Sequence, residues 1–99
     1  MRMLLRVNVP VEAGNSAIKD GSLAKTMTSV LEELKPEASY FLTENGKRTC
    51  LIVFDLKSPS DIPSIAERFF IAFNADVQFT PVMDAADLAA GLQKVSAGV

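Results

Sequence analysis

Apolar and polar residues alternate from Met1 to Val9, with Met3, Leu5, Val7 and Val9 on one side and Arg2, Leu4, Arg6 and Asn8 on the other. A period of two predicts a half-buried β-strand, and Pro10 ends it by removing a ladder donor. The same period returns in ASYFLTENGKRTCLIVFDL, Ala38 to Leu56, where two apolar runs meet at Asn45-Gly46. A type I′ turn needs φ > 0 at both central residues, which Asn and Gly tolerate best, so this stretch predicts a β-hairpin. With Asn45-Gly46 as the loop, Glu44 pairs with Lys47, Thr43 with Arg48, Leu42 with Thr49, Phe41 with Cys50 and Tyr40 with Leu51. That register gives one face to Tyr40, Leu42, Glu44, Lys47, Thr49, Leu51, Val53 and Asp55, and the other to Phe41, Thr43, Arg48, Cys50, Ile52, Phe54 and Leu56.

Between and after these strands the period changes to that of a helix. From Ser22 onward Leu23, Met27, Val30, Leu31 and Leu34 form one stripe, with Lys35 at the negative end of the helix dipole and Pro36 as the stop. Val11 to Gly21 fits a short helical turn or an ordered loop equally well, because Gly14-Asn15 and Asp20-Gly21 are both turn or cap signals. SPSDIP opens a second helix: Ser60 or Asp61 can cap it, and Pro63 must fall in its first turn, so it starts no earlier than about Ser60. Its stripe is Ile62, Ile65, Ala66, Phe69, Phe70 and Phe73, and Asn74 is a C-terminal stop. Asp76 to Met83 reads as a fourth strand, at an edge because of Pro81. Asp84 caps a last short helix through Leu92, with Asp87 near its positive end, and the tail VSAGV is read as frayed.

The order β-α-β-β-α-β plus a C-terminal helix is the split βαβ arrangement of ferredoxin-like α+β domains. It predicts a four-stranded antiparallel sheet ordered 4-1-3-2 with the helices on one face. Met3, Leu5, Val7, Val9, Phe41, Cys50, Ile52, Phe54, Val77 and Phe79 should lie beneath them. The opposite face would then carry Leu4, Arg6, Asn8, Tyr40, Leu42, Thr49, Leu51, Val53, Asp55, Gln78, Thr80 and Val82. Leaving Leu4, Leu42, Leu51, Val53 and Val82 wet would forgo about 10 kcal/mol, so a homodimer packed through this open face is expected.

Length and composition narrow the function classes. Ninety-nine residues fit one domain over 1–99. Ten basic residues against twelve acidic ones give a net charge of −2, and the basic residues are scattered, which argues against a nucleic-acid footprint. The lone Cys50 cannot form an internal disulfide, Arg6 and Asn8 interrupt any signal-like apolar run, and nothing approaches a membrane span. A cytoplasmic protein without membrane or nucleic-acid partners is expected. Glycine-rich phosphate loops, HExxH, CxxC and GxSxG are absent, so no cofactor and no metal are expected.

VEAGN (Val11 to Asn15), EELKPEASYF (Glu32 to Phe41), VFDL (Val53 to Leu56) and FNADVQFTPVM (Phe73 to Met83), in this element order, resemble short bacterial proteins of unassigned activity in the dimeric α/β-barrel superfamily. That resemblance implies a dimeric barrel and admits cofactor-independent monooxygenases, isomerases, haem proteins and non-catalytic dimerisation modules alike. With no His and no Trp, the chain departs from several of those enzymes: it lacks a histidine haem ligand or base and the aromatic partner of some oxygenase pockets.

Candidate site residues come from the open face. Arg6 and Asp55, read as neighbours on adjacent parallel strands, would form an anion clamp, or more commonly an interfacial ion pair. Tyr40 could donate to a substrate oxygen, although a strand Tyr more often supplies area. Asn8, Gln78 and Thr80 could orient a ligand, or equally bond across a twofold or to trapped water. The leading expectation is a homodimer that binds a small anionic or oxygenated molecule near Arg6, Asn8, Tyr40, Asp55 and Gln78, with no catalytic residue assigned. A cofactor-independent oxygenase or isomerase and a purely structural dimer are the alternatives. Cys50, set among apolar residues with no His, reads as structural, and Lys47 and Arg48 as solvated flanks of the hairpin tip.

Overall fold

A computed structural model describes residues 1–98 of the chain. The elements are β1 (Arg2–Val9), α1 (Val11–Asp20), α2 (Ser22–Leu34), β2 (Ala38–Glu44), β3 (Lys47–Asp55), α3 (Ile62–Phe73), β4 (Asp76–Pro81) and α4 (Ala85–Gly98). All strand pairs are antiparallel and the sheet runs β2-β3-β1-β4, the predicted order read from the other edge. This α+β fold is compatible with the ferredoxin-like βαββαβ pattern. Asn45 (φ 54°) and Gly46 (φ 73°) take the left-handed turn conformation, and every hairpin pair predicted from them is present.

Alternation on β1 sorts the two sides of the sheet. Met3, Leu5, Val7 and Val9 are buried, whereas Arg2, Leu4, Arg6 and Asn8 are half-buried. The buried set packs with Ile52, Phe54, Val30, Ile65, Phe69 and Phe73, so the core lies between the sheet and its helices. An edge-on ring contact between Phe54 and Phe79, centroids 6.5 Å apart, carries the core out to β4.

Val11 to Asp20 is a ten-residue helix and not a turn or loop. Gly21, at φ 81°, is both its C-terminal stop and the start of α2, a left-handed joint that bends one helix into the next. Gly14 has a packing reason: a Cβ there would stand 2.6 Å from Nη1 of Arg48. The Arg48 guanidinium lies against the helix and donates to Asn15 Oδ1 at 3.1 Å. Arg48, half-buried, is therefore a tie between β3 and α1 as well as a flank of the hairpin tip, and the Gly-Asn pair that reads locally as a turn is its seat.

The other helices end where the sequence places their stops. Lys35 (φ 45°) and Asn74 (φ 52°) take the left-handed cap conformation after α2 and α3. Ser58, rather than Ser60 or Asp61, provides the side-chain cap: its Oγ accepts from the Ser60 N–H at 3.3 Å over a 3-10 turn, Pro59–Asp61. Pro63 then falls in the first turn of α3, where a missing N–H costs nothing.

Three expectations are corrected. Phe41 is 59% exposed because β2 is an edge strand that reaches beyond the helices covering β1 and β3. Phe70 is 43% exposed on the outer side of α3. The last helix continues past Leu92 to Gly98, started by a reciprocal box in which the Asp87 N–H donates to Asp84 Oδ1 (2.8 Å) and the Asp84 N–H to Asp87 Oδ2 (3.1 Å). Four residues of the VSAGV tail are thus helical, and Val99 lies outside the described residues. The burial contrast has a measurable consequence: Phe54→Ala should lower unfolding free energy in urea by about 3–5 kcal/mol, whereas Phe41→Ala should cost well under half of that.

Candidate functional site on the open sheet face

No helix of the core covers the face built from Leu4, Arg6, Asn8, Leu51 and Val53, and register sets its geometry. Tyr40 of β2, Leu51 of β3, Arg6 of β1 and Gln78 of β4 stand in one row across the sheet. The next row toward the hairpin tip is Leu42, Thr49, Asn8 and Asp76, and the row on the other side is Ala38, Val53, Leu4 and Thr80. Of the predicted site residues, Arg6, Tyr40 and Gln78 therefore share a row and Asn8 adjoins it. Neighbouring strands lie about 4.8 Å apart, which puts Tyr40 and Arg6 roughly 10 Å from each other with Leu51 between them.

Asp55 does not join them. β1 and β3 are antiparallel, not parallel, and Asp55 pairs with Arg2, four positions from Arg6 along β1. At about 3.3 Å per residue that is a separation of roughly 13 Å, too far for the predicted clamp. Asp55 accepts instead from the Met1 ammonium at 2.7 Å, and this bond, with the positive charge beside it, holds its carboxyl below the usual aspartate range.

Glu44 takes the place expected for Asp55. From the last position before the turn it reaches over β3 and forms an ion pair with Arg6, and its Oε2 accepts from Asn8 Nδ2 at 3.0 Å. Asn8 Nδ2 also donates to Thr49 Oγ1 at 2.8 Å, and the Thr49 hydroxyl donates to the Lys47 carbonyl at 3.2 Å. Thr49, 5% exposed, is the one buried polar residue on this face among the described residues. The four side chains make a closed, part-buried polar knot in which the buried Thr49 hydroxyl has its partners. No buried side-chain nitrogen or oxygen among the described residues lacks a partner. The hydrogen bond from Asn8 first, and then the Arg6 contact, lower the Glu44 pKa.

Glu44 and Thr49 were not among the residues expected at the site, although the hairpin register puts both on the face of Arg6 and Asn8. What the sequence could not show is that the Glu44 chain is long enough to cross an intervening strand whose own residue, Thr49, is short.

On the helix side, an apolar hollow of about 230 Å³ opens beneath β2, lined among others by Leu23, Met27, Phe41, Cys50, Phe69 and Phe73. It is smaller than the roughly 300–1,000 Å³ of most small-molecule sites. Cys50 is buried in its wall, and that desolvation pushes its thiol pKa up to about 11, which leaves it protonated and unreactive at neutral pH. Among the described residues no group of three or more His, Cys, Asp or Glu side chains could hold a metal ion, and no helix is long and apolar enough to cross a membrane.

The molecule is an antiparallel four-stranded α+β layer, helix-covered on one face and bare on the other, with a part-buried polar cluster on the bare face. The family model described as a domain of unknown function (DUF3303) matches residues 1–96, and the chain belongs to that family. No curated protein matches it.

A carboxylate with a lowered pKa stabilises the fold fully above its ordinary value, near 4.5 for glutamate, and that contribution is lost as pH falls through the depressed folded-state value. Urea unfolding of wild type and Glu44→Gln should therefore show a wild-type advantage at pH 7 that shrinks steadily below about pH 4.5. An advantage independent of pH would mean that the knot is held by packing and not by charge.

Proposed function

We propose that this DUF3303 chain works as a homodimeric ferredoxin-like protein whose two subunits pack open face to open face, in the manner of the dimeric α/β-barrel superfamily. The observation that carries this reading is the composition of the open face: Leu4, Leu51 and Val53 are only half-buried and Leu42 is 39% exposed, while the charges among them are already paired as Arg6 with Glu44. An apolar band whose central ion pair forms before association is suited to burial against a copy of itself, with Asp76 at the exposed rim on edge strand β4. A twofold lets one such patch cover the other. Light scattering after gel filtration should give twice the chain mass for wild type at micromolar concentration. Leu51→Glu, which sets a carboxylate in the middle of the row between Tyr40 and Arg6, should give the chain mass with an unchanged far-UV spectrum. A wild-type monomer would end this reading.

A second reading, small-molecule binding, is favoured by the hollow beneath β2. Its lining is almost wholly apolar and Phe41 overhangs its mouth, so the ligand class it supports is a small apolar or weakly oxygenated molecule. An anionic ligand on the open face, at Arg6, Asn8, Tyr40 and Gln78, would have to compete with the Glu44 carboxylate for Arg6 and Asn8, and Asp55 would take no part. Oxygenase or isomerase chemistry has support from family resemblance alone. Native mass spectrometry of freshly purified protein tests the hollow: a non-covalent adduct on wild type that is absent from Met27→Trp, which fills the space, supports binding there. An adduct retained by Met27→Trp but lost from Arg6→Ala would move the ligand to the sheet face.

A further inference from the structure

Among the described residues α4 is the one α-helix that buries nothing. None of its residues is buried, and Leu88, Leu92 and Val95 are 48%, 55% and 61% exposed. These residues, with Ala85 and Ala89, fall at the spacing of one apolar stripe, while Asp87, Ala90, Lys94 and Ala97 take the opposite side. The helix stands off the body. The radius of gyration is 16.0 Å, against about 13 Å for a compact chain of this length, and the longest dimension is 56 Å. A free helix of fourteen residues with Gly91 at its middle is marginal in water, and it gains its stability by covering its stripe.

Its root is nevertheless held firmly, and on the open-face side of the sheet. Arg2, whose side chain leaves β1 on that face, pairs with Glu37, Asp84 and Asp87, and the Val82 N–H donates to the Arg2 carbonyl at 3.2 Å. The first turn of the helix is thus held beside the start of β1, on the side where the proposed partner sits.

We propose that α4 is an exchanged arm, which lays its Leu88, Leu92 and Val95 stripe along the free edge of strand β2 of a second copy, beside Tyr40 and Leu42, and receives that copy's arm in return. This rests on the open-face dimer and adds to it which elements meet. When two sheets ordered β2-β3-β1-β4 pack face to face with a twofold along the strands, β4 of one copy comes opposite β2 of the other. β4 ends at the same end of the sheet where β2 begins, because Pro81 pairs with Met3 and Ala38 with Val53, which pairs with Leu4. Each arm therefore leaves its own subunit beside the partner's Ala38. The first large apolar residues it meets are the partner's Tyr40 and the partner's Leu42, which are 64% and 39% exposed in the isolated chain. A fourteen-residue helix is about 21 Å long, enough to run the length of a seven-residue strand.

Area points the same way. Four strands of about eight residues present a flat footprint of roughly 500 Å², below the roughly 800 Å² per partner of a standard stable interface. An arm about 21 Å long and 10 Å wide adds on the order of 200 Å² from each side and brings the sum close to that size.

The test uses the full chain. A photo-crosslinking benzoylphenylalanine at Leu92, in dimers mixed from ¹⁴N- and ¹⁵N-labelled subunits, should join the arm to the peptide holding Tyr40 with one light and one heavy partner. Leu88→Glu with Leu92→Glu should raise the dimer dissociation constant at least tenfold, whereas Ala90→Glu with Ala97→Glu, the same charge on the opposite side of the helix, should change it less than twofold. If the two leucine substitutions leave dissociation unchanged, or the crosslinks join light only to light and heavy only to heavy, the arm does not exchange although the sheet-face dimer stands. A wild-type chain that is monomeric throughout the titration overturns the dimer and the arm together.

Discussion

Two left-handed residues at the hairpin tip govern most of what this molecule presents to its surroundings. Asn45 and Gly46 fix a two-residue loop, and a two-residue loop fixes register along the whole of β2 and β3. A slip of one position would turn Leu51, Val53 and Thr49 toward the helices and expose Ile52 and Phe54, so the core and the turn demand the same pairing. That register also sets Glu44 on the open face, one residue before the turn, from which it reaches Arg6 and Asn8 on the central strand. The polar knot is in this sense a product of the turn.

The two faces of the sheet are stabilised by different physics. Beneath α1, α2 and α3, side chains such as Leu5 and Ile52 are fully buried and pack to the density of a protein interior. On the other face, apolar residues remain half-wet and the polar ones are satisfied among themselves. Half-covered aliphatic groups each leave something on the order of 1 kcal/mol of burial unrealised, comparable per residue to a surface ion pair at its best. Exposed pairs such as Arg68 with Glu33 and Arg2 with Glu37 consequently do more to orient helices and termini than to hold the fold.

Local signals and tertiary uses of the same residue diverge most clearly at Gly14-Asn15. Read along the chain, the pair is a turn. In the folded protein it lies within a helix, where the missing Cβ admits the Arg48 guanidinium and the Asn15 amide oxygen receives it. The partner is more than thirty residues away, so no local pattern could reveal it. Phe41 makes the complementary case: its face follows from the period of two, but its exposure depends on how far the helices extend across the sheet, which is a property of packing.

Hairpin register, the helix stop at Asn74 and the division of the sheet into a covered and an uncovered side follow from the sequence, because each is set by short-range sterics or by a period of two or 3.6 residues, and strand order follows from the element order and the handedness of crossovers. Which charges meet does not. Glu44 rather than Asp55 partners Arg6, since antiparallel pairing carries Asp55 to the far end of β1 while a long side chain bridges a strand that sequence spacing does not measure. The reach of α4, too, is decided in three dimensions: its alanine-rich sequence permits a helix to Gly98, but only the path of the chain past Arg2 directs it away from its own core.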